Sequence, residues 1–199
     1  KILEIGKKIT YAYQKEPKGS GHAVYQCREF AGNEPVLLLL GDMIYQSFEE
    51  RTCSLQLIEA YEECGKTMIS MQDVPLEKVS RYGIMCGKWE NSNENLLKIT
   101  QLVEKPDVNY AKDCLRVKTK NDGDKYYCAY GQYILTPEVF EVLEYNIDNN
   151  ITTKGEIQLT DALDKVRETS GIMGFVFNGK VFDVGTPEMY RDTIMNYGM

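Results

Sequence analysis

Apolar residues follow several patterns along the chain, and each pattern predicts a different element. The run Val36, Leu37, Leu38, Leu39, Leu40 lies between Pro35 and Gly41, which predicts a strand buried on both faces, as in parallel sheets. Leu55, Leu57, Ile58 and Tyr61 recur at helical spacing, so Ser54 is expected to cap a helix that runs through Glu63 and ends at Gly65. Residues 67–71 are the next strand. Strand, helix and strand in this order form a βαβ unit with a right-handed crossover, which puts both strands in one parallel sheet.

Upstream, residues 1–8 read as the end of a helix and 9–13 as a short alternating strand. Residues 14–21 form a loop with Pro17, Gly19 and Gly21 that feeds a short helix over 23–30. The second half changes rhythm: 82–86, 97–103, 126–135 and 172–184 read as strands with few helices between them, so some must pair antiparallel. Asn178-Gly179 between alternating apolar runs predicts a hairpin with a two-residue turn. Thr136-Pro137-Glu138 and Thr186-Pro187-Glu188 each offer a Thr cap, a first-turn Pro and an acidic residue, the start of a helix. Residues 116–125 are polar and charged, a surface loop, and no repeat or linker divides the chain. The expected class is α/β, one domain over 1–199 with a mixed, mainly parallel sheet flanked by helices.

Composition narrows the function. With 43% hydrophobic and 27% charged residues the chain has the profile of a folded domain rather than a disordered one. Lys and Arg number 23 against 30 Asp and Glu, the wrong sign for broad contact with a nucleic-acid backbone. No apolar run approaches the ~20 residues of a membrane helix. Six cysteines without a C-x-x-C pair and a single histidine give no zinc site, so the cysteines are read as free thiols in a reducing, cytoplasmic setting.

Several residues could carry chemistry. The segment from Gln14 through Gly19 to Ala23 offers small residues and backbone N–H groups at a helix start, where an anion or base edge could sit; an ordinary turn is the alternative. His22 within it is a packing or capping residue rather than a catalyst. Asp42 follows the apolar strand and Gly41, at the strand end where open α/β sheets bind ligands. Asp183 likewise closes a strand beside Gly185. Two such carboxylates can share one Mg²⁺, which takes hard oxygen ligands and is completed by phosphates and water; each could instead cap a turn. Glu104-Lys105-Pro106 ends another strand, and Pro106 breaks it so that acid and base can converge on one ligand, or remain a surface ion pair. Gly83, after Tyr82, permits the close approach of a flat or pyranose ligand, or marks a bulge.

Taken in order, Gln14 with Pro17-Lys18-Gly19-Ser20-Gly21-His22-Ala23, Leu40-Gly41-Asp42, Tyr82-Gly83, Val103-Glu104-Lys105-Pro106, Gly155-Glu156-Ile157-Gln158-Leu159-Thr160-Asp161-Ala162 and Phe182-Asp183-Val184-Gly185-Thr186-Pro187-Glu188 resemble the sugar-nucleotidyltransferase family across nearly the whole chain. The resemblance implies a nucleotide-diphospho-sugar transferase-like fold, and transfer from UTP to glucose 1-phosphate giving UDP-glucose and pyrophosphate. It implies that Gln14 and Gly19 contact the base, Asp42 and Asp183 hold Mg²⁺, Gly83 and Glu104 meet the sugar with Glu156 as a further contact, and Lys105 meets the sugar phosphate. The family's opening glycine-rich loop has no counterpart here, so the sheet is expected to be incomplete at the N-terminus, the fragment inactive by itself, and an exposed edge to need a partner such as a second copy. Two alternatives stand beside this reading: a noncatalytic regulatory or binding subunit, and a sister enzyme using dTTP, ATP or GTP. The stretch Asp183 to Pro187 is closer to thymidylyltransferase-like relatives and leaves the base open.

Overall fold

The computed structural model describes residues 2–90, 92 and 94–198; Lys1, at the start of the expected first helix, lies outside them. The chain begins with α1 (Ile2–Gly6), α2 (Ser20–Tyr25), α3 (Arg28–Ala31), β1 (Val36–Leu39), β2 (Met43–Ser47) and α4 (Cys53–Cys64). It continues through β3 (Met68–Val74), a 3-10 turn (Leu76–Arg81), β4 (Gly83–Trp89), β5 (Leu96–Glu104), α5 (Val108–Cys114) and β6 (Val117–Lys118). Then follow β7 (Asp124–Leu135), α6 (Pro137–Asp148), α7 (Leu159–Thr169), β8 (Met173–Phe175), β9 (Gly179–Asp183) and α8 (Pro187–Asn196).

A seven-stranded sheet runs in the order β1-β7-β3-β8-β5-β4, with β6 attached to β7, and β2 pairs with β9 in a separate two-stranded sheet. Helices cover both faces. On one, Phe140 and Leu143 of α6 and Leu163 and Val166 of α7 pack with Ile69, Ile84 and Leu97. On the other, Leu57 of α4 joins Met68, Ile134, Phe177 and Val181. Each such fully buried side chain contributes about 1.5–3 kcal/mol of transfer free energy, so both layers are held by their apolar faces.

The expected α/β class with a mixed, helix-flanked sheet is therefore present, but its strand directions differ from the sequence reading. Among the described residues only β3 and β8 run parallel as neighbouring strands; the others pair antiparallel. β1 and β3 do run the same way, as a βαβ unit requires, but β7 inserts between them and is antiparallel to both. The twelve residues of β7 are long enough to pair with β1 and β3 and to reach β4 and β6. That displaces β1 to the edge of the sheet. Its apolar run is not buried on both faces: Leu39 is 50% and Leu40 38% exposed.

Other local readings are corrected by partners remote in sequence. Residues 9–13 join no sheet, and Ile9, Tyr11 and Tyr13 are exposed. An alternating pattern makes a strand only where a free edge receives it. Asn178-Gly179 is not a hairpin turn, because β8 belongs to the large sheet and β9 to the small one. The Asn178 N–H is bound by Gln56 Oε1 (2.8 Å). A Cβ on Gly179 would stand 2.5 Å from the Gln46 carbonyl oxygen, so glycine serves close strand contact there. Thr52, not Ser54, caps α4, accepting from the Leu55 N–H at 3.2 Å, and Leu55 faces solvent. Within residues 116–125, Val117 and Lys118 of β6 pair with Lys125 and Asp124 of β7, and 119–123 is the mostly exposed turn between them. The two Thr-Pro-Glu sites do begin α6 and α8.

Candidate active site

Asp42 follows β1 and precedes β2, and Asp183 ends β9. Antiparallel pairing of β2 with β9 sets Met43 opposite Asp183, and the Val184 N–H donates to the Asp42 carbonyl (2.8 Å). Two residues far apart in sequence are thereby clamped side by side. Gly185 lies between their side chains: a Cβ there would be 3.1 Å from Asp183 Oδ1 and 3.3 Å from Asp42 Oδ2. Asp183 Oδ1 also accepts from the Gly185 N–H (2.8 Å), which fixes that carboxylate. Among the described residues no group of three or more His, Cys, Asp or Glu side chains could hold a metal ion. The donor set is two hard carboxylates without thiol or imidazole, which fits a cation of the Mg²⁺ kind whose remaining ligands come from phosphate and water.

At the start of β4 and the end of β5, Gly83 pairs with Glu104. A Cβ on Gly83 would stand 3.0 Å from Glu104 Oε2, so the missing side chain opens a slot that the carboxylate fills. The bulge of this ladder lies further on, between Cys86 and Gly87. Lys105 follows with φ 46°, a left-handed backbone rare outside glycine, and its N–H donates to the Tyr82 carbonyl (3.0 Å). This turn of the backbone, rather than the strand break at Pro106, brings two consecutive side chains together. Lys105 Nζ is 3.7 Å from Glu104 Oε1. Both side chains are partly exposed, so the pair adds little stability and keeps its charges available to a ligand.

Tyrosines connect the two acidic sites. The Tyr82 and Tyr130 rings are 5.9 Å apart, tilted by 30°. Burial, with the Asp183 charge as a smaller cause, holds both hydroxyls above the usual phenol range. Tyr45, under Asp42, is raised by burial first and then by Tyr133 and Asp42; Tyr133 is raised by burial and then by Glu104. All four phenols are thus protonated donors at neutral pH. Tyr45 Oη donates to the Tyr130 carbonyl (2.9 Å) and Ser70 Oγ to the same oxygen (3.1 Å), which pins β7 where Gly131 adopts φ 74°. Tyr82 stood in the Tyr82-Gly83 motif, but no sequence signal separated Tyr45, Tyr130 and Tyr133 from core aromatics.

The loop holding Gln14 and Gly19 is built as a clasp. Gln14 Nε2 donates to the Gly19 carbonyl (3.1 Å) and to His22 Nδ1 (2.8 Å), which ties the His22 ring to the loop. The Gly21 N–H donates to the Ile157 carbonyl (2.9 Å) and the Ile157 N–H to the Lys18 carbonyl (2.8 Å). A Cβ on Gly19, whose φ is 111°, would stand 2.5 Å from that Ile157 oxygen. The helix that follows is only six residues long, and one N–H of its first turn is already taken; the glycines serve chain-to-chain contact as much as any ligand. Glu156 lies on the facing loop, where its Oε2 accepts from Gln158 Nε2 (2.7 Å). Sequence reasoning passed over Thr160 and Ser20: Thr160 Oγ1 donates to Glu104 Oε2 (3.1 Å), and Ser20 Oγ accepts from the Leu159 N–H (3.2 Å). Both lie inside the motif stretches, which was the available signal.

The fold thus presents a pair of hard anionic donors, an ammonium beside a carboxylate and a glycine-rich clasp. Residues 2–198 match the Nucleotidyl transferase family, and the chain belongs to it. Among curated relatives it is 36% identical over 193 residues to UTP--glucose-1-phosphate uridylyltransferase 2 of Staphylococcus saprophyticus, covering 96% of this chain and 60% of the relative. It is 37% identical over 191 residues to the UTP--glucose-1-phosphate uridylyltransferase of Bacillus subtilis, covering 96% and 59%. The chain thus spans about three fifths of the length of these relatives. A solved UDP-glucose pyrophosphorylase complexed with UDP-glucose superposes with a TM-score of 0.78 at 31% identity, covering 94% of this chain and 65% of that one. An apo-UDP-glucose pyrophosphorylase gives 0.82 at 31% identity, covering 98% and 66%.

Proposed function

We propose that the protein carrying this chain is a Mg²⁺-dependent uridylyltransferase that joins UTP and glucose 1-phosphate, giving UDP-glucose and pyrophosphate in the cytoplasm. The observation that carries the reading is the meeting of Asp42 and Asp183 beside Gly185, together with the Glu104–Lys105 pair, whose Lys105 N–H is bonded to the Tyr82 carbonyl. Relatives that share the fold and are named for this reaction support it.

A sugar 1-phosphate oxygen attacks the α-phosphorus of the triphosphate, and the bond to the departing pyrophosphate breaks. Two polyanions must be held together in line, so positioning and charge compensation dominate the barrier. Asp42 and Asp183 would hold the cation, which supplies positive charge to the triphosphate when bound. Lys105 meets the sugar phosphate as a point charge, Glu104 accepts from sugar hydroxyls beside Gly83, and Glu156 is a further sugar contact. Gln14 and Gly19 meet the base.

The test is pyrophosphate release by the protein expressed from its complete coding sequence. UTP, glucose 1-phosphate and Mg²⁺ together should support turnover, and a chelator should abolish it. Lys105→Ala should lower kcat/KM by about a hundredfold or more. Faster turnover with dTTP, ATP or GTP would transfer the reading to a sister enzyme. Tight binding of UDP-glucose without turnover would favour a binding subunit.

A further inference from the structure

We propose that Thr160 is a positioning residue, whose hydroxyl sets the plane of the Glu104 carboxylate for the sugar; this rests on the sugar-binding reading of Glu104 given above. Glu104 is the last residue of β5, and its side chain can turn about three bonds, so a carboxylate there has no fixed orientation of its own. The oxygen that lies against Gly83 is Oε2, and Thr160 Oγ1 donates to that oxygen at 3.1 Å. Oε1 is left beside the Lys105 ammonium at 3.7 Å. The two oxygens are thereby distinguished: one is tied to the protein, and the other faces the place where hydroxyl and phosphate groups would arrive.

Thr160 is itself held firmly. It is the second residue of α7, whose Leu159, Ala162, Leu163 and Val166 are buried in the core. Its β-branched side chain has restricted rotamers. A threonine in a first turn is often spent on capping, but the N-cap of α7 is Gln158, and no side chain caps there. The first N–H of α7, from Leu159, goes instead to Ser20 Oγ on the glycine-rich loop (3.2 Å). The Glu104 carboxylate is therefore referenced, through the start of one helix, to the loop on the nucleotide side.

Two variants separate this role from simple packing: Thr160→Val keeps the shape and removes the donor, and Thr160→Ser keeps the donor. In the full-length enzyme Thr160→Val should raise KM for glucose 1-phosphate about tenfold, with KM for UTP and kcat changed by less than about twofold; Thr160→Ser should stay within about threefold of the parent. Equal rises in both KM values, or failure of Ser to rescue, would overturn the proposal. Crystal structures of the parent and Thr160→Val provide a readout independent of turnover. The carboxylate of Glu104 should leave the slot opposite Gly83 in the variant, and one that stays refutes the positioning role. A parent that releases no pyrophosphate defeats the uridylyltransferase reading, and the crystal comparison still decides the role of Thr160.

Discussion

Gly185 occupies the space between two carboxylate oxygens, and what it lacks matters more than its flexibility. A methyl group there would meet Asp183 Oδ1 at 3.1 Å and Asp42 Oδ2 at 3.3 Å, so one of them must move. Gly185→Ala is expected to weaken Mn²⁺ binding, read by water proton relaxation, by about tenfold while leaving the melting temperature nearly unchanged. Unaltered affinity would remove the two aspartates from the cation site. At this scale much was legible in sequence: Asp42 and Asp183 stood out as acids beside glycine at strand ends, and the structure brings them together. The convergence of Glu104 and Lys105 was legible in outcome but not in cause. The left-handed backbone of Lys105 depends on its N–H reaching the Tyr82 carbonyl, a contact between strands that no local pattern reports.

Among elements, the positions of most strands were legible but their partners were not, because a strand depends on what lies next to it; of the helices, α5 and α7 were not read at all, and the one expected over 23–30 is divided into α2 and α3. The start of α4 is the instructive miss. Ser54 and Thr52 are both good capping residues, and apolar spacing cannot choose between them; the bond from the Leu55 N–H selects Thr52. Thr52→Ala should cost about 1 kcal/mol in urea denaturation, and Ser54→Ala only a few tenths. The reverse ranking would restore the sequence assignment. For β1 and the Asn178-Gly179 turn the missing information was topological. Whether an apolar run is central or at an edge depends on β7, which is encoded far downstream, and whether Asn-Gly makes a hairpin depends on which sheet each flanking strand joins.

For the molecule as a whole, the reading of six free thiols agrees with the structure, and burial divides them. Cys53, Cys86 and Cys128 are buried and Cys114 is exposed. Burial pushes the Cys128 thiol up to about 12, and raises Cys53 and Cys86 for the same reason. A raised pKa leaves less thiolate at a given pH, and thiolate is the reactive form. At pH 8, alkylation followed by peptide mass spectrometry should therefore mark Cys114 first and reach Cys128 only after unfolding. Early labelling of Cys128 would mean that the sheet opens readily in the native state. The class of the fold was open to sequence reasoning because layers of α/β structure follow from composition and rhythm; the predominance of antiparallel neighbours was not, since it depends on which strands meet, with β7 threaded between β1 and β3 and β5 antiparallel to both β4 and β8.

The pairing of β2 with β9 has a consequence for the timing of biosynthesis. Asp42 leaves the ribosome well before Asp183, which lies 141 positions further along the chain. Until then the first aspartate has no companion, and no nascent chain that stops short of β9 can carry the acidic pair. Maturation of that pair thus awaits a strand translated long after the first aspartate.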